Sequence, residues 1–121
     1  MKLALLAALP LLAAPDTTRD RSDLAVLYIA EPGPSWAARR AGFEEFLRAR
    51  FASVEVILHG ELDDARAAGA DVVLLDWHQG TGGDDDPSPL GAREAWTKPT
   101  VLLGSAGLRT AKKWEVLGGS G

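Results

Sequence analysis

Four short apolar runs, separated by polar or amphipathic stretches, set the pattern of this chain. They are Leu24 to Ala30, Val54 to Leu58, Val72 to Leu75 and Thr100 to Leu103. Short runs apolar on both faces predict strands buried in a parallel sheet. Between the first two runs, Trp36, Phe43, Leu47 and Phe51 recur at helical spacing, with Phe46 and Ala49 broadening the stripe. That period predicts a helix over about 36–52 whose aromatics pack on the sheet. Arg40, Glu44 and Arg48 form four-residue charge pairs on its wet side. The stretch from Glu31 to Ser35 holds two prolines and a glycine, which stop the first strand, and Ser35 is placed to cap the helix. Leu62 to Ala68 reads as a short helix with Asp63 and Asp64 in its first turn and Gly69 at its end. Further on, Leu90 to Trp96 is expected to form a short helix. Leu108 to Lys113 should add one or two helical turns, and Trp114 to Leu117 a fifth short strand.

Strands alternating with helical segments predict an α/β protein. The expected architecture is a Rossmann-like or flavodoxin-like three-layer sandwich with a mostly parallel sheet of four or five strands. Val72 to Leu75 is its central strand. The chain stops soon after the fifth strand candidate, which leaves two readings open: a fragment of a longer frame, or a domain that needs a partner.

The 121 residues suffice for one domain with a real core. Lys2, the apolar stretch Leu3 to Leu12 and the small pair Ala13-Ala14 have the order of a secretory signal. The apolar stretch is short of the ~20 residues that a membrane span needs. The expected organisation is a signal peptide over 1–14, a polar flexible leader over 15–23 and one α/β domain over 24–121. The expected location is secreted or periplasmic, with no stable membrane anchor after cleavage. There are no cysteines, so no disulfide assists the core. Seventeen acidic residues against 13 basic ones give a net charge of −4, which disfavours nucleic acid and anionic lipid as partners. A small molecule or a protein stays open as partner.

Ligands of open α/β sheets gather beyond the carboxyl ends of the strands. Glu31, His59, Asp76, His78 and Ser105 all stand at such ends. Ser105 as nucleophile, His78 as base and Asp76 as orienting acid would make a hydrolase set. Gly104-Ser105-Ala106-Gly107 carries only half of the Gly-x-Ser-x-Gly elbow, with Leu103 where the first glycine belongs. The plainer alternative makes Ser105 the cap of the next helix. The loop from Gly80 to Pro89 is long and aperiodic, and is expected to cover this rim. Asp84, Asp85 and Asp86 within it are adjacent, which does not suit a calcium loop, so a solvated acidic loop is expected. Glu31 to Ser35 matches no phosphate-binding signature, and no zinc spacing occurs. No cofactor or metal is expected.

Two resemblances follow from these residues. Leu24 to Gly33, Trp36 to Phe51, Ala70 to Asp76 and Lys98 to Gly107 resemble the opening strand, first helix, site strand and nucleophile turn of the ThuA-like group, within the class I glutamine amidotransferase-like superfamily. Ser105 lies near the place of the superfamily's cysteine. Asp76, with Ser105 at the end of the next strand and Glu31 after the first, is also similar to the receiver domains of response regulators in topology. The expected function is an exported ligand-binding or accessory domain without a complete catalytic set. The alternatives are a serine-dependent hydrolase using Ser105 and His78, and a fragment or degenerate copy of a larger amidotransferase-like or ThuA-like protein.

Overall fold

The computed structural model describes residues 23–78 and 87–115. Within them four strands form one sheet: β1 (Ala25–Ala30), β2 (Ser53–Leu58), β3 (Val72–Asp76) and β4 (Thr100–Leu103). Their order is β2-β1-β3-β4, and every pairing is parallel. The chain is therefore an α/β protein with a doubly wound sheet of the Rossmann or flavodoxin type. The apolar runs lie where strands are predicted, because parallel strands covered on both faces leave no place for a polar alternation.

Three helices complete the architecture: α1 (Ala37–Arg48), α2 (Asp64–Gly69) and α3 (Ala106–Lys113). On one sheet face, Val26, Tyr28 and Ala30 are buried beneath Leu47, with Phe43 and Phe51 packed alongside. On the other face, Leu27, Ile29, Val73 and Leu75 are buried with Trp77, Leu90 and Ala106, and Leu62, Trp96 and Trp114 close over them.

Several boundaries differ from expectation. Helix α1 is preceded by a 3-10 turn, Pro34–Trp36, and its N-cap is Trp36, so Ser35 does not cap it. Trp36 instead turns to the rim. Phe46 is 50% exposed, since it precedes Leu47 by one residue and so points about 100° away from the face that meets the sheet. The Arg50 guanidinium lies 3.7 Å over its ring. Helix α2 is capped by Asp63, whose side chain accepts the Arg66 N–H. Leu90 to Trp96 holds only a 3-10 turn, Arg93–Ala95, rather than a helix. Trp114 is not in a strand: it ends α3, packs into the core and donates its indole N–H to the Gly91 carbonyl at 3.0 Å. Val116 and Leu117, the rest of the expected fifth strand, lie outside the described residues, as do the signal and leader over 1–22.

Candidate functional site at the β1/β3 switch point

The connections from β1 and β3 lead to opposite sides of the sheet, so the strand order reverses between these two neighbours. Crevices of doubly wound sheets form at such points, beyond the carboxyl ends. Glu31 follows β1 and Asp76 ends β3, and each is only 1% exposed.

Asp76 faces α1. Its carboxylate accepts from Arg39 Nε at 2.6 Å and from Arg39 Nη2 at 3.2 Å, a two-pronged charge-assisted pair. The hydrogen bond to Asp76 holds the Arg39 guanidinium still more firmly protonated than usual. Gly104, with φ +57°, brings the turn after β4 against this pair. A Cβ there would lie 3.7 Å from Arg39 Nη2 and 3.9 Å from Asp76 Oδ1.

Glu31 faces the other way. Its Oε2 accepts the His78 backbone N–H at 2.6 Å, and its backbone carbonyl accepts from Arg40 Nη1 at 2.7 Å. His59, after β2, makes a 2.6 Å hydrogen bond from Nε2 to the Asp76 carbonyl, and its Nδ1 lies 3.8 Å from Glu31 Oε1. Three strand ends are thus tied through two side chains.

The remaining rim residues hold the loop after β3. The His78 ring packs on Trp36 with centroids 4.5 Å apart, and its carbonyl accepts from Arg109 Nη1 at 2.8 Å. Arg109 in turn lies 4.2 Å over the Trp77 ring. Ser105 is the N-cap residue of α3 but gives it no side-chain cap; its hydroxyl lies 3.5 Å from the Trp77 carbonyl. Asp76, His78 and Ser105 therefore share one rim. Asp76 gives its carboxylate to Arg39, however, and among the described residues no hydrogen bond joins Ser105 to His78.

Beside this network opens a concavity of about 310 Å³, lined by His59, Leu62, Trp77, Pro87, Ser88 and Pro89. Among the described residues no group of three or more His, Cys, Asp or Glu is placed to hold a metal ion. Nor is any described helix long and apolar enough to cross a membrane. Asp84, Asp85 and Asp86, with most of the expected covering loop, lie outside the described residues.

Arg39, Arg40, Trp36, Trp77 and Arg109 were not read as site residues from sequence, where Trp36 belonged to the core stripe and Arg40 to the wet-side charge pairs. One signal was available for the first two: a helix that follows β1 in a doubly wound sheet starts at the switch point, so its first turns face the crevice. Fold and rim together define the class, a doubly wound α/β domain with a ligand-type crevice at the switch point. The chain matches no protein-family model, no curated protein and no solved structure.

Proposed function

We propose that this is an exported ligand-binding or accessory domain, working at the switch-point rim without a complete catalytic set. One observation carries the reading. Three of the rim's side chains are engaged with other rim groups: Asp76 with Arg39, Glu31 Oε2 with the His78 N–H, and His59 Nε2 with the Asp76 carbonyl. A concavity with both apolar and polar lining stands next to them. Polar groups held in place beside a hollow suit recognition, and Asp76, which would orient a catalytic base, is committed to Arg39. Export rests on Lys2, the Leu3 to Leu12 stretch and Ala13-Ala14.

A fluorophosphonate probe applied to the folded protein separates binding from serine chemistry. No labelling of Ser105 is expected. Labelling of wild type that disappears in Ser105→Ala would replace this reading with the hydrolase one.

A further inference from the structure

Glu31 and His59 turn two hydrogen-bond acceptors toward each other with no donor between them. The Asp76 carbonyl can only accept, so its 2.6 Å contact puts the ring proton of His59 on Nε2. In the neutral ring Nδ1 is then a lone pair. It faces Glu31 Oε1 at 3.8 Å, beyond hydrogen-bond length. Oε1 is fully buried and makes no hydrogen bond among the described residues, while Oε2 is taken by the His78 N–H. A buried carboxylate oxygen without a donor is costly, and a group that brings one is correspondingly welcome.

The pair lies behind the concavity. The His59 side chain is 15% exposed and lines it, together with Trp77, Leu62, Pro87 and Pro89. Arg109 covers one face of the Trp77 ring, which is only 2% exposed, so a ligand meets no more than the ring's edge. A carboxylate pairs with a cation, and an imidazole lone pair accepts from one. Between Glu31 Oε1 and His59 Nδ1 an anion would meet two acceptors and, among the described residues, no donor. We infer that the concavity takes a primary ammonium group carried on a small apolar body. The ammonium enters beside the His59 ring, which shifts to uncover the buried Glu31 Oε1, and donates to Nδ1 and to that oxygen, while the body packs on Leu62, Pro87 and Pro89. This deepens the binding reading above and rests on it.

Three matched probes test it: benzylammonium, benzyl alcohol and benzoate, each titrated near pH 8, where free imidazole is neutral. Binding is followed by NMR at the Trp77 indole and the His59 ring. Benzylammonium is expected to shift both signals and benzoate neither. Glu31→Gln keeps an acceptor for the His78 N–H, yet its amide can donate to Nδ1 and it carries no charge. It is expected to weaken benzylammonium binding by roughly tenfold or more, as for loss of a charged hydrogen bond. Equal shifts from all three probes on wild type would overturn the ammonium inference and leave the concavity a binding site. Unchanged binding by a folded Glu31→Gln would also overturn it. No response to any probe would sink the binding site along with the inference.

Discussion

Tyr28 shows how a single residue in this rim answers to its surroundings. It sits mid-strand in β1, fully buried, with its ring 5.6 Å from that of Phe43. Its hydroxyl makes no hydrogen bond among the described residues. Burial, with the Asp76 charge adding to it, pushes the phenol up to about 12. The native state therefore holds this proton more tightly than the unfolded chain, whose tyrosines titrate near 10. Its contribution is fully present below about pH 10 and is lost as pH rises through about 12, on the order of 3 kcal/mol in all. Tyr28→Phe should remove that alkaline step from a series of denaturant melts. At neutral pH it should cost little or even stabilise, since it deletes an unsatisfied buried hydroxyl. A wild-type alkaline loss that persists unchanged in Tyr28→Phe would assign the step to another group. The residue types at the rim were legible in sequence, because strand ends can be read from where apolar runs stop. Their partners were not. Nothing in the order of residues says that Asp76 turns to Arg39 and Glu31 to His59, since those choices depend on which sheet face each strand end presents.

Among the elements, the two outer strands contrast. β2 carries Glu55 on its edge, exposed and paired with Arg66 at 2.9 Å. β4 carries no charge, and Val101 and Leu102 are 48% and 38% exposed on opposite faces. Charged side chains on an outer strand discourage edge-to-edge pairing, and a bare apolar edge invites it. Val101→Lys is therefore expected to raise the concentration at which light scattering first detects association. Glu55→Val, which strips the guard from the other edge, should lower it. If Val101→Lys leaves that onset where it was, β4 is not the adhesive edge. The four strands could be read from composition because each is a short, mainly apolar run, broken in the middle only by Glu55 of β2. The fate of Leu90 to Trp96 and of Trp114 could not, because an aromatic residue closes a core as readily from a turn as from a helix or strand. Trp96 uses its indole N–H on the Thr100 hydroxyl at 2.7 Å, and Trp114 on the Gly91 carbonyl. The first bond is local, spanning four residues, and the second ties the end of α3 to a turn 23 residues back; together with burial they outweigh local propensity.

For the molecule as a whole the net charge is −4, and among the described residues Glu55, Glu61, Asp63 and Asp64 lie on or beside β2 and α2, while α3 ends on Lys112 and Lys113. Opposite sheet edges thus differ in charge as well as in apolar exposure. The export proposal also belongs at this scale. The protein recovered from its native source is expected outside the cytoplasm, with an intact mass lower by about 14 residues, as signal removal requires. An uncut cytoplasmic species would end that proposal. The sequence by itself determined the class of fold, the strands and the place of the rim, because burial on both faces of a parallel sheet demands apolar runs of strand length and ligand crevices follow strand ends. Only the tertiary structure decided the strand order, the Arg39–Asp76 pair, the His59 tautomer and the donor-free gap beside Glu31. Each of these depends on residues distant in the chain meeting at short range, where a difference of one ångström decides whether a hydrogen bond exists.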